Sequence, residues 1–134
     1  MYGSNSLIQK YQEQAINTMS NGELVVKLYD ELIKNLKYAT VLFKNDDPVN
    51  AQKCTKKCQD IFNYLTVILN DKYELSGNLK KLYTFMVNEV IIASATGDTS
   101  HIDGILPQVQ ELRDAWAEAE KKVRAQNSMD LREK

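Results

Sequence analysis

Apolar residues recur along this chain at intervals of three and four, and little interrupts them. The 134 residues hold five glycines and two prolines, too few to cut the chain into many short elements. A few long amphipathic helices are the expected outcome. Ser20-Asn21-Gly22-Glu23 has the form of a capping box, in which the serine hydroxyl takes the N3 amide and the glutamate returns to the serine amide. Leu24, Leu28, Leu32, Leu36, Ala39 and Phe43 continue from it as one stripe, widened by Val25, Tyr29 and Ile33, and the helix stops near Asn45-Asp46-Asp47.

Asp47-Pro48 opens the second helix, with the acid as N-cap and proline in the first turn. Its stripe is Cys54, Cys58, Ile61, Phe62, Leu65, Ile68 and Leu69, and it ends near Asn70-Asp71. Ser76-Gly77 is expected to close a short connection. Leu79, Leu82, Tyr83, Met86, Val87, Val90 and Ile91 then form a third stripe up to Gly97. The last is Ile105, Val109, Leu112, Trp116, Ala119 and Val123. Pro107 either occupies the first turn of that helix, after a separate short turn around Ser100 to Asp103, or kinks a longer one. No strand-like alternation survives, and short connections make neighbouring helices antiparallel. The expected fold is all-α, an antiparallel up-and-down four-helix bundle over residues 20–125. A short N-terminal capping segment, 1–19, carries Leu7, Ile8, Tyr11 and Ile16 and docks as a short helix or an extended strand of chain. The tail, 126–134, lacks apolar periodicity and is expected to fray.

Composition removes several function classes. Seventeen basic residues against eighteen acidic ones give a net charge of −1, so no global field recruits nucleic acid or anionic lipid. The longest apolar runs, such as Val90-Ile91-Ile92-Ala93, fall far short of the ~20 residues a membrane helix needs. The N-terminus lacks the pattern of a secretory signal, so the expected location is the cytoplasm. Cys54 and Cys58 lie four apart on one helix, too distant for an ordinary disulfide, and read as reduced small hydrophobes. One histidine, His101, cannot complete a di-metal centre, a zinc site or more than one base-dependent nucleophile. No cofactor, metal or catalytic constellation is expected. Asp98-Thr99-Ser100-His101 falls where Gly97 and Gly104 suggest a connection, and Lys53, Lys56, Lys57, Lys80 and Lys81 read as solvated helix faces. Seven tyrosines against three phenylalanines and one tryptophan suit surfaces that are apolar and wet by turns. Tyr11, Tyr29, Tyr38, Tyr64, Tyr73 and Tyr83 either line a groove for another chain or rim an ordinary core. The residues by themselves lead to a helical binding module that is not an enzyme.

The order and spacing of several short strings go further. Tyr11-Gln12, Ile16, Thr18, Ser20, Glu23-Leu24 and Leu28-Tyr29-Asp30 are followed by Glu74-Leu75-Ser76, Asn78-Leu79, Leu82-Tyr83, Met86 and Ala93. Gly97-Asp98 and Leu112-Arg113-Asp114-Ala115-Trp116 complete the series. In this pattern, which covers most of its length, the chain resembles the FliS family of flagellin-specific export chaperones. Asn21 stands where that family often has proline, Met19 where it has alanine, and Asn88-Glu89 where it commonly has an arginine pair, reversing the local charge. The resemblance implies a cytoplasmic four-helix bundle that binds the otherwise disordered C-terminal segment of flagellin. Such binding prevents premature polymerisation and keeps flagellin fit for flagellar type III secretion. It places Tyr11, Gln12 and Ile16 in the family's N-terminal motif, as part of the client groove or as packing for the bundle end. Leu24, Leu28 and Tyr29 lie beside that motif, and Ile61, Leu65 and Leu69 are candidates for the facing side, each with a core role as the alternative. The competing expectation is a helical adapter or regulatory bundle that forms a homodimer or binds another flagellar export factor.

Overall fold

The computed structural model describes residues 21–132. Four helices make up the described chain: α1 (Asn21–Lys44), α2 (Pro48–Val67), α3 (Glu74–Thr96) and α4 (Ser100–Arg132), with no strand among the described residues. The all-α expectation is met. Residues 31–107 form one compact unit, and the segments through Asp30 and from Gln108 form another, so α1 and α4 each contribute to both.

Within residues 31–107 the core is built from the expected stripes. Leu32, Leu36 and Ala39 of α1 are buried, as are Ala51, Cys58, Ile61, Phe62 and Leu65 of α2. Leu79, Tyr83, Met86, Val90 and Ala93 of α3 and Ile102 and Ile105 of α4 complete it. Phe62 and Tyr83 meet with ring centroids 6.0 Å apart and planes tilted by 47°, an arrangement that avoids stacking like-charged ring faces. The α2–α3 pair runs antiparallel. Its polar clip is Thr55, whose buried Oγ1 bonds both the Ser94 hydroxyl and the Gln52 carbonyl at 3.0 Å. The Gln52 side-chain amide in turn donates to the Ser94 carbonyl at 3.2 Å. Buried Asn35 is satisfied by the Glu31 carbonyl at 2.8 Å, as a buried amide requires.

The helix ends follow capping chemistry. The chain turns out of α1 through Asp46, at φ 56°. Asp47 then accepts the Asn50 amide at 3.3 Å, with Pro48 behind it, as the Asp-Pro pair foretold. Asp47→Ala is expected to cost about 1 kcal/mol, read as a lower urea midpoint at an unchanged slope. At the end of α3 the chain passes through Gly97 at φ 74°, where its amide donates to the Ala93 carbonyl at 2.8 Å. A Cβ is disfavoured in that left-handed conformation.

The α2–α3 connection differs from expectation. α2 ends at Val67, and Ile68 leaves the stripe to become exposed. Ser76 and Gly77 do not close the following loop; they lie in the first turns of α3. The Ser76 hydroxyl donates to the Asn70 carbonyl at 2.6 Å, and the Asn70 side chain accepts the Lys72 amide at 3.0 Å, so the loop folds back on asparagine rather than on Ser-Gly. Of the two alternatives left for the last helix the longer one holds: α4 starts at Ser100, before Gly104, and is one helix with Pro107 inside it. Asp98 makes that start possible by accepting the Ser100 amide at 3.0 Å and the Ser100 hydroxyl at 2.7 Å. These bonds hold its carboxyl below the ordinary carboxylate range.

His101 therefore belongs to the first turn of α4, not to a loop. Half-buried, it bonds Glu89 of α3 through Nδ1, while Nε2 lies 3.7 Å from Asp98. Glu89 is one of the two residues that reverse the arginine pair of the resemblance, and His101 is its partner. Residues 126–132, set apart as tail, continue α4 as helix.

Candidate functional site

The unit made from residues 21–30 and 108–132 has a seam between the start of α1 and the second half of α4. Leu24, Val25, Leu28 and Tyr29 are buried on α1. Charged residues of α4 face that helix. Arg113 Nε donates to Asp30 Oδ1 at 2.8 Å, and this hydrogen bond and charge hold the guanidinium pKa above its ordinary value. Arg124 pairs with Glu23 and lies 3.3 Å from Glu120. The Glu120 carboxylate lies against Gly22, where a side chain on α1 would collide with it. An anion there complements the positive end of the α1 dipole.

Leu112, Ala119 and Val123 each directly precede one of those α1-facing residues, so their stripe is rotated by about 100° around α4 and runs beside the seam. Its coverage fades along the helix. Val109 is fully buried, Leu112 and Trp116 are half-buried, Ala119 is exposed and Val123 is 52% exposed. The sequence period continues where burial does not. This leaves an uncovered apolar helix face bordered by a charged row, a surface suited to an amphipathic segment.

The residues expected to contact a client fall into three groups. Tyr11, Gln12 and Ile16 lie outside the described residues, as does Ser20 of the capping box. Leu24, Leu28 and Tyr29 line the buried side of the α1 start, next to the seam. Ile61 and Leu65 are buried in the core of residues 31–107, and Leu69 is half-buried beyond the end of α2. Ile61 and Leu65 therefore present no free surface. Leu112, Trp116 and Val123 belong to the last stripe of the sequence and form its more accessible part; the period was visible and the lack of cover was not.

The described residues offer little chemistry. They contain no group of three His, Cys, Asp or Glu side chains placed to hold a metal ion. None of their helices is long and apolar enough to cross a membrane. Cys54 and Cys58 are both free thiols. Burial raises the pKa of both, far more for Cys58, which is fully enclosed with Sγ 3.9 Å from the Leu32 carbonyl. Because the thiolate is the nucleophile, a thiol alkylating reagent at mildly alkaline pH is expected to label Cys54 slowly and Cys58 only after unfolding. Peptide mass spectrometry of a time course distinguishes the two, and equal labelling of native protein would contradict the burial.

Residues 4–123 match the family described as Flagellar protein FliS. The chain is 31% identical over 109 residues to the flagellar secretion chaperone FliS of Bacillus subtilis (strain 168), covering 81% of this chain and 82% of that protein. It is 28% identical over 120 residues to the protein of the same name from Escherichia coli (strain K12), covering 87% of this chain and 88% of that one. A solved structure titled "Crystal structure of flagellar chaperone from bacteria" superposes with a TM-score of 0.71 at 22% identity, over 85% of this chain and 97% of that one. That likeness shows a shared all-α bundle fold. Family match, relatives and helical architecture agree, and no enzyme chemistry is part of that family's role: the chain belongs to FliS, the flagellar secretion chaperones.

Proposed function

We propose that this chaperone acts in the cytoplasm on flagellin, holding its disordered C-terminal segment so that the protein neither polymerises early nor loses competence for type III secretion. The observation that carries this reading is the α4 stripe of Leu112, Trp116 and Val123, an apolar helix face that continues past its own burial. A disordered client loses conformational entropy when it orders, so its partner must supply a large preformed apolar surface. The start of α1, with Leu24, Leu28 and Tyr29, borders that surface. Tyr11, Gln12, Ile16 and Leu69 are further candidate client contacts. Ile61 and Leu65, buried on α2, keep the core role.

The test is co-elution on size exclusion with full-length flagellin and with flagellin lacking its C-terminal segment. The expected result is a one-to-one complex with the first and none with the second. Equal complex formation by both would overturn the assignment of the segment. Light scattering on the free chaperone addresses the competing occupant: a doubled mass that Val123→Asp returns to a monomer would assign the stripe to a second copy.

A further inference from the structure

Helix α3 buries one face and exposes another that carries no charge. Leu79, Tyr83, Met86, Val90 and Ala93 pack into the core of residues 31–107. Turned away from them, Thr84, Phe85, Asn88, Ile91, Ile92 and Ala95 are all exposed. Between Lys81 and Asp98 the chain holds one charged residue, Glu89, which is half-buried and bonded to His101. From Phe85 to Ala95 the exposed face therefore runs about 15 Å without a charge. Single exposed apolar side chains are ordinary on a soluble protein, whereas a contiguous uncharged patch marks a contact surface.

The order of residues along this face selects its occupant. Phe85, Asn88, Ile92 and Ala95 follow one another at intervals of three, four and three, the spacing of a two-helix seam. Lys81 lies one turn before Phe85, and Asp98 lies just beyond Ala95, both exposed. Along the helix the face thus runs from cation and large ring to methyl and anion. A second copy laid antiparallel across it matches that order at every step. Phe85 of each copy meets the Ala95 methyl of the other, Asn88 meets Ile92, and Lys81 extends toward Asp98 at both ends. A parallel copy would instead set lysine on lysine and phenylalanine on phenylalanine. Self-complementarity about a two-fold axis is the requirement for an isologous dimer.

We infer that this chain forms a homodimer through the exposed face of α3, packed antiparallel on its own copy. The inference stands apart from the flagellin reading, since the whole face lies within residues 31–107. The seam is short, and Asn88 near its centre gives up stability for register. Association is therefore weak, with a Kd on the order of 10–100 µM.

Sedimentation equilibrium of the full-length chain, from about 5 µM to about 1 mM, tests it. A mean mass rising from one copy toward two is expected, and a single-copy mass throughout would overturn the dimer. Phe85→Glu is expected to weaken association at least about tenfold, because a charge is then buried against an apolar surface. Val67→Glu, at an exposed site on α2, should leave it unchanged. Equal loss in both, or a dimer broken by Val123→Asp and not by Phe85→Glu, would overturn the face. An exchange of sizes tests the register. Phe85→Ala removes the ring and Ala95→Phe sets two rings against each other, so each alone should weaken the dimer at least about fivefold, and the double variant should recover to within about twofold. Tighter association by Ala95→Phe, or no recovery in the double variant, would overturn the antiparallel pairing. Both sites are exposed, so the urea midpoints of these variants should match that of the unsubstituted chain.

Discussion

Phe62→Ala is expected to remove about 3–5 kcal/mol of folding stability, the range for deleting a buried aromatic side chain. Phe62 is fully enclosed on α2, with its ring 6.0 Å from that of Tyr83 on α3. Alanine there loses the transfer free energy of the ring and leaves a cavity that neighbouring Ile61 and Leu65, both buried on the same helix, fill only in part. Domains of this kind have about 5–15 kcal/mol in total, so the variant should unfold at far lower urea and sit near its midpoint at physiological temperature. Val67→Ala, at a side chain 80% exposed on the same helix, is the control and should change stability by less than about 0.5 kcal/mol. Comparable losses for the two would mean that α2 does not pack by the face described.

Val123→Asp and Trp116→Ala are expected to weaken capture of the flagellin segment, each at least tenfold. Trp116 is a large, half-buried aromatic in the middle of the stripe, the kind of residue whose truncation commonly costs about 2 kcal/mol or more in an interface, roughly thirtyfold in affinity. Val123 is more diagnostic, because at 52% exposure its replacement disturbs no core. An aspartate there must be desolvated against an apolar client. Met129→Asp serves as the matched control. Met129 is equally exposed, at 57%, but six residues on it points to a different side of α4. Binding by isothermal titration should fall for Trp116→Ala and Val123→Asp and hold for Met129→Asp. Uniform loss in all three would indicate a general destabilisation of the helix, and no loss in any would move the client to another face.

The parts of the fold that were legible in the sequence are those fixed by local chemistry or by helical period. Asp47-Pro48 and Gly97 stand at helix boundaries because a cap acceptor, a missing amide and a left-handed residue act within a few positions. Leu32, Leu36, Ile61, Phe62, Leu65, Tyr83, Met86 and Val90 were readable as core because their spacing admits one buried face. Ser76 was misplaced because its hydroxyl is satisfied six residues back, at Asn70, a partner that no i to i+3 pattern reveals. Gly104 and Pro107 left a late start and a longer helix both open, and the burial of Ile102, Ile105 and Val109 around them goes with the longer helix.

The candidate site shows the same division. Period identifies Leu28 and Val123 equally as members of apolar stripes, but what covers each depends on the neighbouring helix, which period does not encode. Hence Leu24, Leu28, Tyr29, Ile61 and Leu65, for which a client contact and a core role were both open, are buried, while Val123, the last member of its stripe, is exposed. The unusual Glu89 was visible as a departure from the family pattern. Its partner was not, because His101 reaches it from the first turn of a helix that the glycines had placed further on.

Calorimetric titration of the full-length chain with the isolated C-terminal segment of flagellin, with helicity followed by circular dichroism, is the most direct test. Saturable one-to-one binding, a negative heat-capacity change and a gain of helix are predicted, the signature of a disordered segment folding onto an apolar surface. No heat and no gain of helix at any accessible concentration would contradict a flagellin-binding role and leave a FliS-family bundle that serves a different partner.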